Sequence, residues 1–253
     1  MGFLEWNGNI LIDSLKKIDW NILLIIFLDS VFYLASGSLV FFWLSRVMAK
    51  LVAFQLPTDI ISLGKEGAQH FVSEIRFFYV FLIASFVIVL AAIIFLASIL
   101  KGVIWAKTTK TRISFSLISR FLTLNLIWMG FWFVAVILMS ILIDTAASAF
   151  VIGAAIILSL YISNTLYPIF MREQRLSVIL KAIRISFAKI HMFLFPYSII
   201  VIFFFILVKA SKLANFKYSE VIATIILIIL AALVRYYHSE LVLNINREKS
   251  KTL

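Results

Sequence analysis

An all-α polytopic membrane bundle of about six transmembrane helices is the architecture this sequence predicts, on three observations. Apolar residues fill 64% of the 253 positions and charged residues only 14%, against roughly 25% charged in a soluble domain. A water-facing fold needs polar residues to cover its surface; hydrocarbon removes that need. Second, the apolar residues come in unbroken runs such as 77–100, not in the ten-residue alternating segments of a membrane β-barrel. A spanning segment must satisfy its own backbone hydrogen bonds, and a helix does so. Third, mean hydropathy is +1.11 with only three prolines and eight glycines, so little interrupts long helices.

A span needs about 20 mainly apolar residues, and six windows qualify: 21–44, 77–100, 121–143, 149–170, 192–208 and 218–237. The fifth is short and carries Pro196 near its start, so mismatch or a kink is expected there. Trp20, Trp43, Tyr167 and Tyr236 fall near proposed span ends, as interfacial aromatics do, whereas Trp128 and Trp132 lie deeper. Residues 1–253 read as a single membrane domain. No small-residue cleavage site follows a short apolar run at the start, so the first span is expected to be retained.

Counting Lys and Arg gives the orientation. With both termini cytoplasmic, the inner segments hold sixteen basic residues and the outer ones seven. The positive-inside bias therefore places both ends at the cytoplasmic face of the cell membrane. The formal charge of +11 follows from the same bias and from anionic headgroups as partners, with no need of nucleic acid.

Two inner segments are amphipathic. In 176–191, Leu176, Ile179, Leu180, Ile183, Phe187 and Ile190 share one helical face, and Ser177, Lys181, Arg184 and His191 another. This predicts an interfacial elbow helix with a basic side. A looser version occupies 112–120. Arg112, Arg120, Lys181, Arg184 and Lys189 form the basic set of the two elbows. Arg112-Ile113-Ser114-Phe115 recurs as Arg184-Ile185-Ser186-Phe187, 72 residues later, with eight identities over the eighteen positions 111–128. Lys17-Ile18 echoes Lys189-Ile190. The pattern suggests three tandem helical-hairpin repeats, each an elbow followed by an outward and an inward span. The outer loop 45–76 should prolong the first span helix through 46–55, stop at Leu56-Pro57-Thr58-Asp59, and continue as a partly amphipathic cap over 60–73.

Chemistry-bearing residues are few. Asp29 is the one acid well inside a span, where a carboxylate costs about 2.5–3.5 kcal/mol to insert and so needs a reason. Asn125 and Asn164 enter their spans from the inner side at similar depth, and the three residues make a candidate intramembrane polar cluster. One reading is interhelical glue; the other is a path for a solute or proton. Ser36-Gly37-Ser38 and the pair Ala149, Gly153 are expected packing surfaces, and Glu220 and Arg235 are expected to snorkel to opposite interfaces. His70, His191 and His238 lack metal-ligand spacing, cysteine is absent, and no phosphate loop or nucleophile elbow occurs. No metal, cofactor or catalytic activity is expected. The chain reads as a non-catalytic membrane component organising lipid or partner subunits, membrane or cytoplasmic. A permease or channel-like transporter subunit is the alternative.

Overall fold

A computed structural model describes residues 3–53, 64–143, 145–213 and 218–251. The described residues form helices α1 (Phe3–Lys16), α2 (Asn21–Ala53), α3 (Gly64–Thr108), α4 (Phe115–Leu142), α5 (Thr145–Glu173), α6 (Val178–Ala188), α7 (Ile190–Leu213) and α8 (Ser219–Lys251), with no strand among them. Six of these are long and apolar enough to cross a bilayer: Asn21–Val52, Gln69–Thr108, Phe115–Leu142, Ala147–Glu173, Ile190–Ala210 and Val221–Asn246. The protein is an all-α, multi-pass membrane bundle. Only 11–28% of each span's apolar window is buried within the chain, so the remaining apolar faces are served by lipid.

Each span coincides with a predicted window but runs longer. At about 1.5 Å per residue, the 33 residues of α2 reach about 50 Å and overrun a hydrocarbon core of about 30 Å. As predicted, α2 continues through 46–53. The expected stop at Leu56-Pro57-Thr58-Asp59 lies outside the described residues. Of the cap segment, 64–73 belongs to α3 itself. Pro196 sits within α7, and the chain instead breaks at Lys189, between α6 and α7, with φ −123° and ψ 25°.

The chain divides into two compact units, 1–30 with 98–253, and 31–97. In the smaller unit the two helical stretches are joined by Trp43, whose Nε1 donates to Ser85 Oγ at 3.0 Å. The Lys50 ammonium lies 3.9 Å from the Phe81 ring centroid. In the larger unit α5 packs on α4, α6 and α8, and α8 also packs on α1 and α7. Its core gathers Trp105, Leu117, Phe121, Trp128, Leu166, Phe170, Phe193 and Tyr237.

Helix α1 is not visible in the hydrophobic pattern. Its buried stripe is Asn7, Ile10 and Ser14, at helical spacing but two-thirds polar. Tyr237 Oη donates to Asn7 Oδ1 at 2.6 Å, and Ser14 Oγ to the Leu11 carbonyl. Lys17, just past α1, pairs with Glu240 of α8.

The two elbows differ. Arg112-Ile113-Ser114 lies outside any helix, and the extended Ser114 accepts at Oγ from the Leu117 amide as the N-cap of α4. Arg120 is then an exposed residue of a spanning helix, so 112–120 is not a separate amphipathic helix. The matching Arg184-Ile185-Ser186-Phe187 lies inside α6. The difference arises because Ser114 caps a helix, while Ser186 is buried and its carbonyl accepts from Tyr161 Oη at 2.7 Å. Further along the repeat, Phe121 and Phe193 are both fully buried in the same core. At Gly37 and Gly153 an added Cβ would meet nothing within 4 Å. At these two glycines, then, no close approach is made among the described residues.

Helices α3 and α5 end on left-handed residues that are not glycine: Lys110 (φ 54°) and Gln174 (φ 51°). Thr111 N–H donates to the Ala106 carbonyl at 2.8 Å and Lys110 N–H to that of Lys107 at 3.2 Å, a Schellman ending. Gln174 N–H donates to the Phe170 carbonyl at 2.8 Å, the simpler αL ending. A side chain with Cβ is strained here by about 1 kcal/mol. Gln174→Gly is expected to stabilise the protein by about 1 kcal/mol in detergent unfolding; a destabilised variant would show that the Gln174 side chain supplies more than its backbone strain costs.

Candidate functional site

Asp29 is 1% exposed, and both its oxygens are engaged. Arg235 Nη1 donates to Oδ2 at 2.7 Å and Nη2 to Oδ1 at 3.2 Å. Lys101 Nζ donates to Oδ1 at 2.7 Å. One carboxylate from α2 therefore joins a cation from α3 to a cation from α8. Helical spacing builds the surroundings: Ile25 stands four residues before Asp29, Ile104 three after Lys101, and Ala232 and Tyr236 flank Arg235. These four residues form a buried apolar collar. The Arg235 guanidinium lies 5.6 Å from the Trp105 ring centroid, within cation–π range. Such a low-dielectric setting strengthens each charge-assisted bond.

Arg235 does not snorkel as expected. Its side chain is only 10% exposed, because α8 continues to Lys251 and leaves this residue far from the helix end. Lys101 is likewise internal to α3. Lys101 escapes the sequence reading because the second span is closed at 100, and Arg235 is misread as a snorkelling residue because closing the sixth span at 237 leaves it beside a span end. The signal that would have found them is the carboxylate itself, since an intramembrane acid calls for a cation at matching depth.

Asn125 and Asn164 do not join Asp29. Asn125 Nδ2 donates to Ser98 Oγ at 3.0 Å, and Tyr167 Oη donates to Asn125 Oδ1 at 3.0 Å, so the amide ties α3, α4 and α5. Asn164 Nδ2 donates to Tyr197 Oη at 3.0 Å, tying α5 to α7. Tyr197 stands against His238 of α8, which also stacks on Phe193 with centroids 5.0 Å apart. Trp128 Nε1 donates to Ser163 Oγ at 2.7 Å. Three separate polar ties replace the single expected cluster, each linking different helices.

The basic residues of the two elbows all belong to the larger unit. Arg112, Arg120 and Arg184 are exposed, Lys181 pairs with Glu173, and Lys189 caps α6. Helix α6 carries a buried stripe and an exposed apolar one. Val178, Ala182, Ile185 and Ser186 are buried against the core. Of the stripe identified from sequence, Leu176, Leu180, Phe187 and Ile190 face outward, 42%, 75%, 53% and 49% exposed, whereas Ile179 and Ile183 pack against the core. Nearby, Asn21 N–H donates to Asp19 Oδ1 at 3.1 Å. Desolvation alone would raise the Asp19 carboxyl, but hydrogen bonds from Asn21 and the Lys110 charge together hold it below the usual carboxylate range.

Among the described residues no group of three or more His, Asp or Glu side chains gathers as a metal ligand set. The fold and these ties define a multi-pass membrane protein whose intramembrane polar groups link its helices. No family model, curated protein or solved structure matches the chain.

Proposed function

We propose that this protein is a non-catalytic membrane component that organises anionic lipid at the face bearing its basic residues, and presents that face to partner subunits. The excess of Lys and Arg in the segments on the side assigned to both termini supports taking that side as the cytoplasmic face of the cell membrane. The observation that carries the reading is α6. Its outward stripe of Leu176, Leu180 and Phe187 suits the acyl boundary, and Arg184 stands exposed beside it. A helix with that pairing lies in the interface and favours anionic headgroups. The ion clasp at Asp29 supports the same reading, because both carboxylate oxygens are engaged by cations on two neighbouring helices and so tie those helices together.

A basic residue near an anionic surface contributes about 1 kcal/mol. Arg184→Gln with Lys189→Gln is therefore expected to lower the anionic share of lipid retained in mild-detergent purification by about thirtyfold. The loss should be smaller in high salt, which already screens the parent. An unchanged lipid ratio in the double variant would refute the lipid-organising role.

A further inference from the structure

A cleft of about 240 Å³ opens in the larger unit, between the start of α4 and the turn from α5 into α6. Arg120 and Thr123 line it from α4, Phe170 from α5, and Gln174 and Leu176 from the turn. Phe170 is fully buried and gives the cleft an apolar wall. The charge is one-sided. No acid is among the lining residues, and among the described residues the Arg120 side chain has neither an ion pair nor a hydrogen bond. This sets Arg120 apart from Lys17, Lys101, Lys110, Lys181 and Arg235, each of which is already paired with a carboxylate. A second donor is an amide. Gln174 makes no side-chain hydrogen bond among the described residues, yet it holds the left-handed position where glycine would relax the backbone. Thr123 gives its proton to the Ser119 carbonyl at 3.2 Å, so it offers the cleft acceptor lone pairs. A guanidinium and an amide on one cleft suit a phosphate, and the Thr123 oxygen suits a headgroup hydroxyl.

The surface beyond the cleft selects the kind of phosphate. Arg120 immediately precedes the apolar window 121–143 and so stands at the edge of the hydrocarbon. From it, Thr123, Ile127, Phe131 and Val134 continue along one face of α4 at three- and four-residue spacing, and all of them are exposed. Arg120 to Phe131 covers about 16 Å at about 1.5 Å per residue, close to half of a hydrocarbon core of about 30 Å. A ligand with its phosphate on Arg120 can therefore lay an acyl chain along this track to the bilayer midplane. A soluble phosphate would leave the track unused.

We propose that this cleft seats the headgroup of an anionic phospholipid, with its phosphate on Arg120 and Gln174 and an acyl chain along Ile127 and Phe131. The proposal deepens the lipid-organising reading and rests on it for placing this end of α4 in the headgroup layer.

The test uses the full chain in mild detergent, with native mass spectrometry and thermal unfolding as readouts. The probes are phosphatidylglycerol, phosphatidylcholine and glycerol 3-phosphate. Phosphatidylglycerol should stay bound and raise the melting temperature; phosphatidylcholine and glycerol 3-phosphate should do neither at the same concentration. Arg120→Gln should bind phosphatidylglycerol at least tenfold more weakly. Without lipid it should unfold at the parent's temperature, because the side chain it alters is exposed. Gln174→Gly should bind severalfold more weakly, although its relaxed backbone makes it unfold at a higher temperature than the parent. Equal retention of phosphatidylcholine, saturation by glycerol 3-phosphate in place of the lipid, or full binding by both Arg120→Gln and Gln174→Gly overturns the proposal. Arg184→Gln with Lys189→Gln separates it from the reading it deepens. If that pair strips bulk anionic lipid while Arg120→Gln releases none, the cleft fails and the lipid reading stands. If Arg120→Gln releases the bound lipid and the pair changes nothing, the cleft stands as a single lipid site and the α6 face loses its role.

Discussion

Asp29→Asn is expected to destabilise the folded protein by about 3–5 kcal/mol. The substitution keeps the size of the side chain but turns one acceptor oxygen into an N–H donor facing a cation, so the loss reports the charge together with the hydrogen bonds made to that oxygen. Lys101 and Arg235, with side chains 17% and 10% exposed, would face each other without the anion that holds them. Removing one partner of a buried ion set costs more than removing all of it, because the survivors stay desolvated and uncompensated. Arg235→Gln should cost less, about 1–3 kcal/mol, since Lys101 still neutralises Asp29. The double variant Asp29→Asn with Arg235→Gln should cost less than the two single losses added together. The triple variant Asp29→Leu, Lys101→Met and Arg235→Met should restore stability to near the parent, because lipid-compatible side chains insert without the charge penalty. Unfolding in detergent micelles measures each variant. Asp29→Asn within about 1 kcal/mol of the parent would mean the three groups are not a stabilising unit.

This clasp also shows where a sequence stops being informative. The spans were legible because lipid imposes length and hydropathy on each one separately, and neither depends on what a helix packs against. The outward stripe of α6 was legible for the same reason: Leu176, Leu180 and Phe187 repeat at helical spacing. Asp29 was legible as an exception to that rule. Its partners were not, because Lys101 and Arg235 stand 72 and 206 residues away and look like ordinary flanking charges once a span is cut short. Helix α1 was hidden because Asn7 and Ser14 are buried through hydrogen bonds, which leave no mark on an apolar pattern. The repeat shows the converse failure. Arg-Ile-Ser-Phe takes two conformations at two sites, since four residues do not carry enough local preference to override a cap at Ser114 or the core around Ser186.

Packing within the larger unit supplies the second large effect. Phe121 is fully buried, with ring centroids 5.0 Å from Tyr167 and 5.7 Å from Phe170. In a soluble core, Phe→Ala costs about 3–5 kcal/mol, part transfer from water and part cavity. In a bilayer the unfolded reference is itself apolar, so the transfer part largely cancels and the lost packing remains. Phe121→Ala is therefore expected to cost about 2–3 kcal/mol, below the soluble figure. The void would also loosen Tyr167, whose hydroxyl orients Asn125 and through it Ser98. Gly102 offers an internal control. An added Cβ there meets Phe121 Cδ1 at 3.2 Å and Ile118 Cδ1 at 3.0 Å, so Gly102→Ala alone is crowded. Once Phe121 is shortened, half of that crowding disappears and the new methyl occupies part of the void. Phe121→Ala with Gly102→Ala should then unfold at a higher temperature than Phe121→Ala alone. A strictly additive loss would show that α3 and α4 do not meet at this point. A full loss of about 3–5 kcal/mol for Phe121→Ala would show that the unfolded reference is wetter than a bilayer.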